Sequence, residues 1–451
     1  MNICVIGAGT YGCYLAHLLA EQHPHSKVTM LDVGDAETRN EQGIGFVSRA
    51  VGAPYHALSE GRFFGLGGSS ARWGGQILTF TENDFRSPTG FLADIVRLNV
   101  KHRGRVMRRL GLPDLGEERR LSDGLFVKPG VWLSYGRRNL YRALKLRNLP
   151  NIAVRTHCRA TRLTHEGGVI TAVHVSCDGE DQALVFDHYF LATGAFEGNR
   201  LLAVSGLGGE TFSFSDHLSQ KAFRVRGGTV LGEDDFRFKF RGLSLVTKRF
   251  VGEVDGVSFF AHPIFNAEFE FFQDLKAILY RREISPQRLA RLLGQAPEAA
   301  RFFWDMFPRR RLYVHRNEWY LQLDLENYAG SGEASVSSQR DAFGQSGVDV
   351  SLSVGERTDR LFASARSILR DYLKEVGADF VELEPRTDAA KYEDTYHPYG
   401  MFASDSSSAD AYFDGFPNML VVNTGVLPRA GGINCTAAVF PLIEEYVATR
   451  L

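Results

Sequence analysis

The chain opens on an apolar run, Ile3 to Ile6, that ends among glycines at 7, 9 and 12. Leu15, Leu18 and Leu19 then recur at helical spacing, and a second apolar run from Val28 ends at Asp32. That pattern predicts strand, tight turn, helix and strand. Downstream, Ile152-Ala-Val, Val169 to Val175 and Leu184 to Leu191 read as strands, with a turn at His165-Glu-Gly-Gly. The last runs into Ala192-Thr-Gly-Ala-Phe-Glu-Gly-Asn-Arg-Leu-Leu202, a Gly turn followed by a helix. Residues 83 to 125 read as helical and basic, a solvated helix face rather than a phosphate site. From about 206 the texture changes to alternating strands (Phe236-Arg-Phe-Lys-Phe-Arg, Trp319 to Leu325, Val348 to Val354), with helical periodicity from Arg360 to Gly377. The tail returns to a strand, Met419 to Asn423, a Gly-rich turn, and a helix from about Thr436.

The glycines give the first turn its chemistry. Gly7 permits the turn, Gly9 lets the backbone approach a pyrophosphate, and Gly12 lets helix and strand pack closely. The helix start offers free N–H groups and the positive end of the dipole. Asp32, twenty residues past Gly12, is placed to accept hydrogen bonds from ribose hydroxyls. A bound dinucleotide is therefore expected, over a merely tight strand–helix turn. Arg62-Phe-Phe-Gly-Leu-Gly-Gly-Ser-Ser-Ala-Arg-Trp-Gly-Gly-Gln76 packs five glycines into eleven residues, which suits a loop lying along a cofactor. The apolar Phe63, Phe64, Leu66 and Trp73 within it argue against a free surface loop.

These elements predict an α/β fold (α+β overall). A Rossmann-like domain spans 1–205, with a helical insertion at about 83–125. A second domain at 206–390, mostly antiparallel sheet carrying helices, forms the substrate pocket, and 391–451 returns to the first domain.

Composition narrows the classes. The 451 residues suffice for two or three domain-sized cores. A net charge of -1 provides no global field to recruit nucleic acid or an anionic membrane. No apolar run approaches the ~18 residues that span a bilayer, and the chain enters a buried strand at once, leaving no room for a cleavable leader. The five cysteines (4, 13, 158, 177 and 435) have no metal-like spacing, so reduced thiols, no metal and a cytoplasmic location are expected. In Phe302-Phe-Trp-Asp-Met-Phe-Pro-Arg-Arg-Arg311 the aromatics are expected in a core and the arginines in solvent, with contact to a membrane or lipid-linked substrate as the alternative.

Two tail segments complete the set: Thr395-Tyr-His-Pro-Tyr-Gly-Met401 and Asn423-Thr-Gly-Val-Leu-Pro-Arg-Ala-Gly-Gly-Ile-Asn-Cys-Thr436. With the amino-terminal block, the Gly67-Gly-Ser-Ser-Ala loop and Ala192-Thr-Gly-Ala-Phe-Glu, they resemble the flavin-dependent glucose–methanol–choline (GMC) oxidoreductases in order and spacing. The match is good in the flavin half and thin over 206–390, where Asp216-His217 and the Arg340-Asp-Ala-Phe-Gly stretch are faint echoes. The resemblance implies FAD held by Gly7, Gly9, Thr10, Tyr11, Gly12 and Asp32, by Gly67, Gly68, Ser69, Ser70, Arg72, Trp73 and Gly74, and by Ala160, Thr193, Gly194, Asn423, Gly425, Cys435 and Thr436. It also implies a catalytic pair, His397 and Asn434.

The chemistry of alcohol oxidation asks for such a pair. An imidazole near its pKa at neutral pH takes the hydroxyl proton, and an amide donates to the developing alkoxide. Asn434 competes for a second role as N-cap of the last helix. Several positions depart from the family pattern. Arg72 stands where some members attach flavin covalently through a His, so noncovalent FAD is expected. Trp73 replaces a usual Asn, Met401-Phe-Ala-Ser-Asp replaces a common Thr-Cys-Arg-Met-Gly run, and Cys435 replaces a usual Pro. Arginines and aromatics across 206–320 suit a small-molecule alcohol of sugar or glycosylated type. The electron acceptor stays open, as do roles for Glu393 and Tyr396. The alternatives are an NAD(P)H-dependent flavin reductase, which lacks a CxxC pair or a second glycine fingerprint here, and a flavin-binding protein without catalysis.

Overall fold

The structure, a computed structural model, describes residues 1–113, 116–226, 239–241, 244–265, 270–281, 283–309, 313, 318–385, 391–402 and 407–451. Strand β1 (Asn2–Ile6), helix α1 (Thr10–Gln22) and strand β2 (Lys27–Leu31) form the opening unit. The continuous apolar run of β1 is the signature of a strand buried on both faces, and only its first residue is exposed. Five parallel strands line up in the order Met419–Val421, His188–Leu191, β1, β2, Ile152–Arg155. The C-terminal helix Phe440–Arg450 packs on α1 through stacked Tyr14 and Phe440, with ring centroids 4.2 Å apart. The fold class is α/β, built around this doubly wound parallel sheet.

A second sheet is antiparallel. Its path runs Asp379–Glu382, Leu218–Arg226, Glu318–Leu325, Val257–Phe265, Ser244–Val254, Leu125–Trp132, Gln76–Ile77. The helix Glu356–Glu375 lays Leu361, Phe362, Ala365, Leu369 and Leu373 into a second buried core with this sheet. Two of its strands, Gln76–Ile77 and Leu125–Trp132, come from the amino-terminal stretch, so residues 1–205 do not separate cleanly from the antiparallel half. They place Gln76 and Trp132 against Thr247.

Several local expectations are corrected. Of the described residues in the 83–125 stretch only Gly90–Arg109 form a helix; Arg119–Ser122 is a strand and Leu125 starts another, because the two pair with each other and the second also pairs with Ser244–Val254 far along the chain. The helix does turn Lys101, Arg105 and Arg108 to solvent and buries Ile95, Val96, Val106 and Met107. Cys158 and Cys177 are not reduced thiols. They are direct partners across the antiparallel pair Cys158–Glu166 and Val169–Cys177, and form a disulfide with Cα atoms 4.1 Å apart. Hairpin register, not spacing, brings them together; Cys4, Cys13 and Cys435 are free and buried. In the 302–311 segment, Phe302 packs on Phe271 and Tyr313, but Phe303, Trp304 and Phe307 are 48%, 58% and 68% exposed. Residues 236–238 of the expected strand, 310–311 of the basic run and 403–405 of the Met401 segment lie outside the described residues.

Candidate active site

A cavity of about 550 Å³ opens between the ends of the parallel strands, the glycine loop at 61–76 and the tail, within the size range of small-molecule and cofactor sites. Along one wall lies the start of α1. A Cβ on Gly12 would stand 1.9 Å from the Gly7 carbonyl oxygen, and one on Gly7, whose φ is +105°, 2.6 Å from the Ala192 carbonyl oxygen. A Cβ on Gly9 would meet nothing within 4 Å: the space over the helix start is open toward the cavity. Gly9 occupies the N-cap position and provides no side-chain cap, which leaves the first N–H groups of α1 for a ligand.

Asp32 lines this wall but serves the backbone first. Its Oδ2 accepts from Ala8 N–H at 2.7 Å, and its Oδ1 from Gly34 and Gly65 N–H, both at 2.9 Å. Burial pushes its pKa up against these three bonds. A carboxylate has about four acceptor positions, so roughly one remains for a ribose hydroxyl. The carboxylate thereby ties the glycine loop to the opening turn.

The other expected cofactor residues divide into two groups. Thr10, Tyr11, Ser69, Arg72, Trp73, Gly74, Ala160, Thr193, Gly194 and Thr436 line the cavity with Gly7, Gly9 and Asp32. Gly12, Gly67, Gly68, Ser70, Asn423, Gly425 and Cys435 stand behind it. Gly67 donates its N–H to Ala8 O at 2.8 Å, and Ser70 Oγ bonds Gly67 O at 2.5 Å while accepting from Leu140 N–H at 3.0 Å. Asn423 Oδ1 accepts from Gly425 N–H at 2.8 Å. These residues set the shape of the walls rather than face a ligand.

His397 and Asn434 both line the far end. The His397 N–H donates to Asp216 Oδ1 at 2.9 Å, and its Nδ1 lies 3.0 Å from Thr395 Oγ1, which is 3.4 Å from that same carboxylate oxygen. Tyr55 donates its hydroxyl to Asp216 Oδ2 at 2.7 Å. Burial pushes Asp216 up to about 8, opposed by the Tyr55 hydroxyl. The His217 ring stands perpendicular to that of His397, centroids 6.2 Å apart, with its Nε2 2.8 Å from Gly431 O. The Asp216, His217 and His397 ligand atoms fall within 4.8 Å of one another, a grouping of metal-ligand type. The Asp216 oxygens, however, already face N–H and O–H donors.

The expectation of an imidazole near its ordinary pKa is corrected. Burial, and then the neighbouring His217 and Arg249, push His397 down to about 3, against the pull of Asp324. The ring is neutral at neutral pH.

Asn434 is the N-cap residue of a short 3₁₀ turn, Cys435–Val439, but its side chain makes no capping bond. Instead its Nδ2 donates to Gln76 Oε1 at 3.1 Å, and its Oδ1 accepts from Arg249 Nη1 at 3.3 Å. Arg249 also donates to Gln76 Oε1 and lies 4.4 Å over the Phe260 ring. It is 2% exposed, and burial lowers its pKa to about 10. Gln76 in turn donates to Thr247 Oγ1 at 3.1 Å. The amide competes for a cap and loses to a buried guanidinium, because an unmet charge costs more than an unmet N–H.

Reading the sequence missed Gln76, Trp132, Arg159, Glu197 and Thr395 as cavity residues, and Arg249 behind it; of the two residues whose roles it left open, Tyr396 lines the cavity and Glu393 does not. Arg159 lies 3.6 Å over the Phe46 ring and pairs with Glu197 at 2.8 Å and Asp341 at 3.0 Å. A signal existed for Gln76, Glu197, Thr395 and Tyr396, which sit inside the quoted motifs. None existed for Arg249 or Arg159, whose partners lie far away in sequence.

No protein-family model matches the chain, and no curated protein matches it in sequence. The solved structure of pyridoxine 4-oxidase from Mesorbium loti superposes with a TM-score of 0.53 over 100% of this chain and 99% of its own, at 16% identity. At that identity the likeness is one of fold.

Proposed function

We propose that this chain is an FAD-dependent oxidoreductase of the glucose–methanol–choline type, oxidising a CH–OH group to a carbonyl with His397 as base and Asn434 as hydrogen-bond donor to the reacting oxygen. The observation that carries the reading is one continuous cavity with the uncapped start of α1 on one wall and His397 and Asn434 on another. A dinucleotide held at that helix start would share this cavity with the His–Asn pair. The residues present fit such a group. The space over Gly9 is open, and the buried Thr193 Oγ1 in the wall has no hydrogen-bond partner among the described residues. The likeness in fold to a protein named an oxidase agrees. Bound FAD supplies the hydride acceptor.

The chain's own residues account for the rest. A hydroxyl has one hydrogen to give. Where Thr395 gives its hydrogen to Asp216, His397 Nδ1–H donates to Thr395 Oγ1 and Nε2 keeps a lone pair to take the substrate proton. Asp216 also grips the His397 backbone N–H and so fixes the ring's position. Arg249 and Gln76 hold the Asn434 amide, consuming its oxygen and one N–H; its second N–H is free to meet a developing alkoxide. Trp73, Trp132 and Tyr396 give the cavity flat apolar faces that suit a sugar ring or a glycosylated small molecule. Arg72 in the glycine loop is no nucleophile for flavin, so the cofactor is noncovalent.

His397→Ala should retain flavin but slow substrate-driven bleaching by ~10²-fold or more in anaerobic stopped-flow; bleaching at the wild-type rate would remove His397 as the base. Acid precipitation should release all flavin to the supernatant, and colour remaining in the washed pellet would contradict noncovalent binding.

A further inference from the structure

Between Glu270 and Phe307 three helices, Glu270–Arg281, Pro286–Gly294 and Ala296–Met306, form a small unit with its own core of Phe271 and Tyr313, against which Leu275, Leu292, Ala299 and Phe302 pack. That core is served without Ile284, Leu289, Leu293, Phe303, Trp304 and Phe307, which point to solvent. Of the fifteen large apolar side chains exposed among the described residues, these six fall within 24 positions. Leu289 and Leu293 recur at i and i+4 on the second helix, and Phe303 on the third precedes its C-cap residue Phe307 by the same spacing, so they form stripes rather than scattered residues. The Phe303 and Phe307 rings stack at 6.0 Å.

The same stretch is cationic in a chain of net charge -1: residues 270–311 hold nine Lys and Arg against five Asp and Glu. Arg288 pairs with Asp274 and Glu283, Arg291 with Asp274 and Arg309 with Asp305, and the surplus of positive charge is one of the segment's sequence as a whole. We propose that this helical unit docks on an anionic lipid surface, the exposed aromatic and Leu side chains entering the headgroup boundary while the arginines meet lipid phosphates. Short amphipathic helices with Trp, Phe and Leu on one face and arginine on another have this property. A second copy fits worse, because a two-fold interface sets this cationic patch against itself. Among the described residues no helix is long and apolar enough to cross a membrane, so the contact lies in the surface plane. This inference stands on the patch alone and does not depend on the redox reading.

Vesicle co-sedimentation of the full chain tests it. Wild type should pellet with phosphatidylcholine vesicles containing phosphatidylglycerol, and not with phosphatidylcholine alone. The bound fraction should fall at high salt, and Trp304 fluorescence should shift to the blue on binding. Phe303→Ser/Trp304→Ser/Phe307→Ser should lose binding ~10-fold or more. Arg301→Gln/Arg309→Gln keeps the apolar stripe and should lose it more moderately, with an unchanged thermal melt as the control for folding. Failure of wild type to pellet with anionic vesicles overturns the proposal, as does equal pelleting by the triple variant. So does a concentration-dependent dimer in light scattering that the triple variant abolishes while vesicle binding is absent.

Discussion

On one side of the cavity Gly7, Gly12, Gly67 and Gly68 stand where an added Cβ would lie between 1.9 and 2.8 Å from a neighbour. Behind the other, Arg249, Asp324, Glu326 and His217 are buried and polar. The first wall obtains its shape by leaving atoms out, so that strand, helix and loop approach to backbone distance. The second obtains it by burying charge and then satisfying it: Glu326 receives Arg429 Nη2 at 2.6 Å, Gly431 N–H at 2.9 Å and Ser258 N–H at 3.0 Å. Those bonds fix the turn that leads into Asn434, as Arg249 fixes its amide. The wall of close contacts tolerates no added volume, and the wall of buried charge tolerates no unpaired partner.

That contrast can be broken experimentally. The largest effect belongs to Gly12→Ala, whose methyl meets the Gly7 carbonyl; a loss of about 4 kcal/mol or more is expected in denaturant unfolding, with flavin retention lost. A variant with the wild-type midpoint would show that this wall yields after all. Glu326→Ala should cost about 3 kcal/mol, because Arg429 and the Gly431 N–H lose their shared partner. Adding Arg429→Ala should restore part of that loss. If the double variant is as unstable as the sum of the two singles, the pair is not coupled.

Per pH unit, the proton linkage of His397 is the smallest effect. His397 is pushed from 6.5 to about 3 in the folded chain, so the unfolded chain takes up a proton at mildly acid pH that the folded chain refuses. The fold therefore loses stability as pH falls from about 6.5 toward 3, by at most about 1.4 kcal/mol per pH unit for this group. His397→Gln should flatten that slope. The same shift keeps the base unprotonated, so kcat/KM should not fall between pH 7 and pH 5 on account of His397. An acid limb centred near 6.5 that His397→Gln removes would place the imidazole in a more solvated setting.

Individual strands of the parallel sheet and the opening turn were legible because each is written in consecutive residues: an apolar run, three glycines and a helical repeat need no distant partner, whereas the sheet's order joins strands from residue 2 to residue 421. The same holds for Thr10, Tyr11, Arg72, Trp73 and Thr193, carried into the cavity by the motifs that contain them. The Cys158–Cys177 pairing was not legible, since a hairpin's register decides which residues oppose each other. The cap role read for Asn434 failed for a related reason: the local signal was sound, but Arg249 arrives from 185 residues away.

The sequence by itself determined the strand–turn–helix–strand unit, the glycine loop and the identity of the groups able to do chemistry. Such features follow from backbone sterics and short-range periodicity, which act within a few residues. Only the tertiary structure decided that burial lowers the His397 pKa, that Asn434 answers to Arg249 and Gln76, and that the His397 backbone and ring meet Asp216 and Thr395. It alone also left the apolar stripes of the 284–307 helices uncovered. Desolvation and pairing depend on what surrounds a group in space, and these partners come from strands and loops far apart along the chain.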